Sequence, residues 1–468
     1  MKKFTKQAFA IVTIAAFAVA GCKKGSDGNF DRPNGAGGPF TGADSVIVGN
    51  ISASRTLSPG KVYKLKGVVY VTGGAKLTIK PGTVLTTGDA VNYKVDPSSA
   101  VVNAIAGVLV ITKGASIDAV GTPSQPIVFT SPKASGSRVA GDFGGVIVLG
   151  QSTTNRTTAP QIEGLPKYDE NGVALGVDIT YGGSIPADNS GKIQYVRIEY
   201  AGYKLAIDNE INGLTLGGVG SGTTLDHIQV SYGADDAFEF FGGTVNAKYL
   251  LAVGNDDDDF DTDFGFKGNI QYAIGLKDPS STHSTSGGVS DSNGIESDND
   301  GTGTTASPRT KPTYSNFTLL GYSTTSNGLR AGNRWRRNSD LFITNSIIAG
   351  YNTAAEFQSG TETSATPGGF NNNNVHAFTT VFSPATATSL TGSTNATSTD
   401  ANPDAFVALG IRGTRTLSPF YTTAVAGSYN FSNLTPRVAG STKGAVLTAN
   451  LSEWNSGWVQ FSPQTSID

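Results

Sequence analysis

Short runs of alternating apolar and polar residues recur along most of the chain. Three share a spelling: Gly67-Val68-Val69-Tyr70-Val71, Gly107-Val108-Leu109-Val110-Ile111 and Gly145-Val146-Ile147-Val148-Leu149. The first two continue alike, as TGGAKLTI from Thr72 and TKGASIDA from Thr112. Between the runs, Pro81-Gly82-Thr83-Val84-Leu85 and Pro126-Ile127-Val128-Phe129-Thr130 place a proline at or just before a strand start, where its missing N–H costs little. After Gly191 the runs resume as Ile193–Ile198, Leu225–Val230, Tyr249–Val253, Ile270–Ile274, Tyr314–Leu319 and Leu341–Ile348. A period of two, bounded by glycine and small polar residues, predicts short strands joined by tight turns.

One stretch, Leu225 to Gly268, holds two copies of a single pattern. An apolar run (Ile228, Val230; then Leu251, Val253) leads into a turn rich in acids, and a second short run follows (Phe238, Phe240; then Phe260, Thr262). Val230 and Val253 set the offset at 23 residues. A repeat of this length predicts stacked units sharing one core. The short second strands then align as Ala237-Phe238-Glu239-Phe240, Asp259-Phe260-Asp261-Thr262, Gly294-Ile295-Glu296-Ser297, Gly328-Leu329-Arg330-Ala331 and Ala354-Ala355-Glu356-Phe357. Neighbours in a strand face opposite ways. With the apolar column inside, Glu239, Asp261, Glu296, Arg330 and Glu356 form an outward column. Successive strands lie about 4.8 Å apart, so adjacent carboxylates in it repel by roughly a few tenths to 1 kcal/mol per pair.

Three things would offset that repulsion. A proton can be shared, raising one carboxylate's pKa. Arg330 can pair with Glu296 and Glu356. A Ca²⁺ can sit among the acids, since it takes six to eight oxygen ligands in flexible arrangements. The turns before the column add Asp235, Asp236, Asp256, Asp257, Asp258 and Asp259. The expected metal ligands are Asp235, Asp236, Asp256, Asp258 and Asp261. Aspartate also populates turns simply because it bonds its own backbone. Asp298-Asn299-Asp300-Gly301 has the core of a calcium loop without its closing glutamate, and reads as a turn. Gly332-Asn333-Arg334-Trp335-Arg336-Arg337 places arginines around a tryptophan, which suits an anionic or sugar ligand. The alternative is a surface tryptophan packed under arginine stems. The expected binding face is Glu239, Asp261, Glu296, Arg330, Glu356 and Trp335.

Polar stretches interrupt the pattern. Gln151 to Asn189, Tyr203 to Gly222 and Asp278 to Pro312 read as excursions, and Ser383 to Pro403 as a loop. A solenoid end exposes a sheet edge and core, so residues 383–468 are expected to form a loop and capping region, with Trp454 and Trp458 in the cap's core. Residues 44–382 are the expected solenoid.

Composition fits many strands and turns: of 468 residues, 60 are glycine and one is methionine. The net charge of −3 and the lack of a basic patch interleaved with aromatics give no reason to expect nucleic acid. The three histidines (His227, His283, His376) are too scattered for a multi-histidine metal centre. Residues 1–21 have a lysine-bearing start, an apolar run from Ala8 to Ala20 and small residues before a cut, as in a secretory signal. The single cysteine follows in Val19-Ala20-Gly21-Cys22, which resembles the lipobox of bacterial lipoproteins. That resemblance implies a lipid on Cys22 and a membrane partner. Residues 22–43, rich in Gly, Pro, Asn and Asp, read as a flexible tether.

The phrases LTIKPGTVL, IDAVGTPSQPIVFTS and GDFGGVIVLGQ resemble those of extracellular right-handed parallel β-helix proteins of the pectate-lyase-like superfamily, over roughly Val46 to Phe382. With the lipobox, the chain resembles outer-membrane β-helix lipoproteins of Gram-negative bacteria, most of which have no assigned activity. The resemblance implies an all-β, right-handed parallel β-helix with long excursions, displayed on the cell surface or the periplasmic face. The function then expected is binding or scaffolding: a Ca²⁺-supported acidic face presented to a glycan, an anionic solute or a protein partner such as an outer-membrane receptor. The alternative is a Ca²⁺-dependent lyase or a glycoside hydrolase acting on acidic polysaccharide. Arg330 or Arg334 would then act with Asp256, Asp258 and Asp261, or Asp235, Asp236, Asp257 and Asp258 would flank the bond. The chain lacks the Gly-His-Gly motif of the hydrolases, and the lyase motif around a catalytic arginine is not recognisable.

Overall fold

The computed structural model describes residues 44–206, 209–325, 328–403, 406, 431–436, 441–461 and 463. The expected signal segment, Cys22 and the tether lie outside the described residues. The body is a parallel β-helix: one 24-stranded sheet whose strands pair in parallel, coil on coil. On one face the inward row runs Phe129, Ile198, Val230, Ala252, Gly275, Leu319, Ile348. On another it runs Val146, Leu214, Phe238, Phe260, Ile295. These rows meet in a single core. Phe238 and Phe260 stack there with ring centroids 5.4 Å apart and planes 5° from parallel.

The coil-to-coil offset in the central stretch is 22 residues, since Phe238 pairs with Phe260 and Val230 with Ala252. The 23-residue reading matched Val230 to Val253. Val253 pairs with Ser231 and points outward with Leu251. The error follows from burial on both faces, which removes the alternation that would have fixed the register.

Two further apolar clusters explain that double burial. One outer face, carrying Val68, Val110, Ile147 and Leu149, is covered by Ile162, Leu165, Ile179 and Tyr181 from the excursion after Gln151. Another flank, carrying Leu251, Val253, Ile274, Leu276 and Ile347, is covered by Phe431, Val446, Trp454, Trp458 and Phe461. The tail tryptophans are therefore core residues, as expected, but their core lies along the flank rather than over the end of the solenoid. Gln229 fixes this strap with both side-chain atoms, accepting from the Gln460 N–H at 2.9 Å and donating to its carbonyl oxygen at 2.5 Å. The Tyr203–Gly222 excursion is shorter than expected. Leu214–Gly217 is a solenoid strand, while Tyr203–Ala206 and Asn209–Ile211 pair with each other antiparallel outside the coil.

The repeated glycine before the shared spelling has a steric reason. Gly67 and Gly107 have φ of 62° and 72°, and a Cβ would come within 2.6 Å of Tyr93 Oη and 2.3 Å of Thr87 Oγ1 respectively. Both the left-handed backbone and the close approach demand glycine.

Replacing Trp458, a fully buried residue of the strap, with alanine is expected to cost about 3–5 kcal/mol. Chemical denaturation measures it; an unchanged midpoint would contradict the docking of the strap.

Candidate metal centre

The outward column is Thr215, Glu239, Asp261, Glu296, Arg334 and Glu356. Arg330, expected in this column, is replaced by Arg334. The inward partner of Arg334 is the buried Asn333, paired with Ala355. A polar residue at an inward position disguised the true register, and Leu329 drew the alignment four residues early. Arg330 sits beside the column and pairs with Glu356 at 2.9 Å and Asp291 at 3.2 Å. Trp335, expected on the binding face, points inward. It is fully buried against Phe357 and Phe370, in the row where Thr262 and Ser297 leave space.

The acid turns stack in the same register. Asp236 Oδ1 accepts the Asp258 N–H at 2.8 Å, and Asp258 Oδ1 accepts the Asn293 N–H at 2.6 Å. Each turn thus caps the next coil and aims its remaining oxygens outward. Asp256, expected among the ligands, turns away: its Oδ1 accepts the Thr282 N–H at 3.1 Å. Asp257 takes its place at the site.

The result is a cavity of about 160 Å³ lined by Glu163, Glu210, Asn212, Asp235, Asp236, Glu239, Asp257, Asp258, Asp261, Asp291, Glu296 and Arg336. Ten of these are carboxylates and one is a guanidinium. Glu163, Glu210 and Asp291 come from the excursions and carry no signal in the repeat pattern. Only the folding of those loops back onto the column reveals them. Three groups of carboxylates bring oxygens within 4.8 Å of one another: Asp235–Asp236–Asp257, Asp236–Glu239–Asp261 and Asp258–Asp261–Glu296. With Ca–O distances of 2.3–2.6 Å, two oxygens on one ion lie up to ~5 Å apart, so these separations suit a shared cation.

Toward the C-terminal end of the column, arginines pair with the acids. Arg334 pairs with Glu296 at 2.7 Å, while Arg336 and Arg337 hold Asp298 at 2.8 Å and 2.7 Å. Among the described residues, Asp236, Glu239, Asp258 and Asp261 form no ion pair. Glu239 accepts from Asn212 Nδ2, and Asp261 Oδ1 is buried with no hydrogen-bond partner. The donor set is carboxylate oxygen without thiolate or imidazole, which selects a hard cation such as Ca²⁺. Asp298-Asn299-Asp300-Gly301 is a turn, as its sequence suggested: Asp300 Oδ1 accepts the N–H groups of Thr302 at 2.9 Å and Thr304 at 3.1 Å.

Burial, then neighbouring carboxylates, holds Asp236, Glu239, Asp258 and Asp261 well above the ordinary carboxylate range. Glu296 rises from 4.5 to about 7 for the same first cause, with Asp298 adding and Arg336 opposing. Groups with a raised folded-state pKa bind more protons folded than unfolded. Their effect is absent below the unfolded pKa and becomes a loss of stability as pH rises through the folded one. The cation-free protein is therefore expected to melt at a higher temperature at pH 5 than at pH 8, and Ca²⁺ is expected to narrow the gap. A cation-free midpoint that rises over that interval would contradict the assignment.

Residues 49–459 match the model of a family described as a pectate-lyase-like β-helix domain. No curated protein matches the chain, and no solved structure does. The match spans most of the chain and agrees with the parallel stacking of its strands. The chain belongs to the pectate-lyase-like β-helix family.

Proposed function

We propose that this protein is a lipid-anchored, extracytoplasmic β-helix binding protein whose carboxylate pocket takes Ca²⁺ and presents the resulting face to a glycan, an anionic solute or a protein partner. One observation carries the reading: ten carboxylates converge on a cavity of about 160 Å³ with a single guanidinium in its wall. Among the described residues, Asp236, Glu239, Asp258 and Asp261 form no ion pair; ionising these buried groups unpaired is expensive, and a cation bound by oxygens removes that cost. The bound ion would keep part of its coordination for water or for an acidic group of the ligand.

The size of the cavity weighs against polysaccharide chemistry. Sites for small-molecule ligands are usually roughly 300–1,000 Å³, and a cavity of 160 Å³ holds an ion with a few waters. Glu163, Glu210 and Asp291, from the excursions, line the same small cavity as the column rather than an extended cleft of the kind a polymer substrate needs. The two arginines that a lyase would use as base are held in ion pairs, Arg330 with Glu356 and Arg334 with Glu296. The outer-membrane location and the lipid rest on the resemblance around Cys22 alone.

Ca²⁺ at about 100 times its Kd is expected to stabilise the protein by about 2.7 kcal/mol, read as a rise in the thermal midpoint. Asp236→Asn and Asp261→Asn are expected to abolish most of the rise. Glu356→Gln, beyond the cavity, should retain it. No rise in the unaltered protein would sink the reading. For the anchor, Cys22→Ala is expected to lose metabolic labelling by fatty acid and to leave the membrane fraction; a variant that keeps both would refute it.

A further inference from the structure

Directly behind the acid turn, inside the wall of the solenoid, lies a lysine that neither the core nor the pocket accounts for. Lys277 follows the strand Asn269–Leu276, and its side chain is wholly buried. Its Nζ lies 3.4 Å from Oδ1 of Asp259, which is equally buried. It also donates to the carbonyl oxygen of Asp257. The Ser292 hydroxyl donates to the same carbonyl at 3.1 Å.

The strand has made room for this pair. Gly275 occupies an inward position whose neighbours in adjacent coils are Ala252 and Leu319. A Cβ there would come within 2.4 Å of Asp259 Oδ2. A missing side chain in an otherwise apolar row is thus matched to a buried carboxylate. Buried ion pairs seldom stabilise more than apolar residues of the same volume, so stability alone is a poor reason for this one. What the pair achieves is geometric. The ammonium grips the Asp257 carbonyl and the Asp259 carboxylate, two residues apart, from the inside. The side chains of Asp257 and Asp258 are left opening outward into the cavity.

We propose that Lys277 is a positioning residue for the cation pocket: by holding the Asp257–Asp259 turn from behind, it sets the Asp257 and Asp258 carboxylates at ligand separation. This rests on the reading of the pocket as a cation site. Lys277 touches no cation itself and acts only through the turn, as outer partners of metal ligands do.

The test removes both charges together, since removing one leaves the other buried and unpaired. In Lys277→Met/Asp259→Asn, Ca²⁺ affinity by calorimetry is expected to fall about tenfold to a hundredfold. Tb³⁺ bound in place of Ca²⁺ should show a shorter luminescence lifetime, from extra coordinated water. The cation-free thermal midpoint should stay close to that of the unaltered protein. A folded double variant with unchanged affinity and lifetime would overturn the assignment of Lys277 while leaving the cation site standing. An unaltered protein that binds neither Ca²⁺ nor Tb³⁺ would overturn the site, and the assignment with it. Should the double variant not fold, Ser292→Ala removes the other donor to the Asp257 carbonyl without changing charge. A severalfold drop in affinity supports the held turn, and no drop refutes it.

Discussion

Parallel strands stacked in register at about 4.8 Å are the constraint from which the rest of this molecule follows. Each coil sets its residues directly over those of the last, so whatever one coil places at a position, the next must tolerate. For apolar residues this is favourable, as in the stack of Phe238 on Phe260. It also suits rings at the turns: Tyr195, His227, Tyr249 and Tyr272 stack in sequence with centroids 4.5, 4.4 and 5.2 Å apart. For carboxylates it is unfavourable, and Glu239, Asp261 and Glu296 occupy one such column. The core and the charge problem are two products of the same geometry.

The protein resolves that problem in two ways along one face. Toward the C-terminal end it builds its own cations into the wall. Arg330, Arg334, Arg336 and Arg337 engage Asp291, Glu296, Asp298 and Glu356. Toward the N-terminal end it adds more acid, bringing Glu163 and Glu210 in from loops beside Asp235, Asp236 and Glu239. Among the described residues, Asp236, Glu239, Asp258 and Asp261 form no ion pair, and their contrast with the arginine-paired Glu296 and Asp298 is the main structural support for a bound cation.

Much of this was legible in the chain. The shared spellings of the Gly67, Gly107 and Gly145 runs identify the stacking, because burial on both faces and the glycine before each run are strict requirements of the fold. The acids of the column were found for the same reason: strand alternation fixes their side. What alternation could not supply was register where its contrast fails. Asn333, polar yet buried, made the inward row unreadable at that coil and exchanged Arg334 for Arg330. Trp335 was expected on the binding face because arginines flank it in sequence, whereas its ring turns into the core against Phe357 and Phe370. Asp256 and Asp257 are adjacent and chemically alike, and only the contact of Asp256 with the Thr282 N–H separates them. Glu163 and Glu210 lie in excursions from the coil, the latter in a hairpin strand, where no periodicity relates them to the column.

Whether Ca²⁺ sits between Asp236, Glu239 and Asp261 can be seen in crystals grown with calcium chloride, with anomalous scattering recorded at long wavelength. An anomalous peak is expected within coordination distance of Asp236, Glu239 and Asp261. Density explained by water alone, with the carboxylates hydrogen-bonded to one another through shared protons, would contradict it.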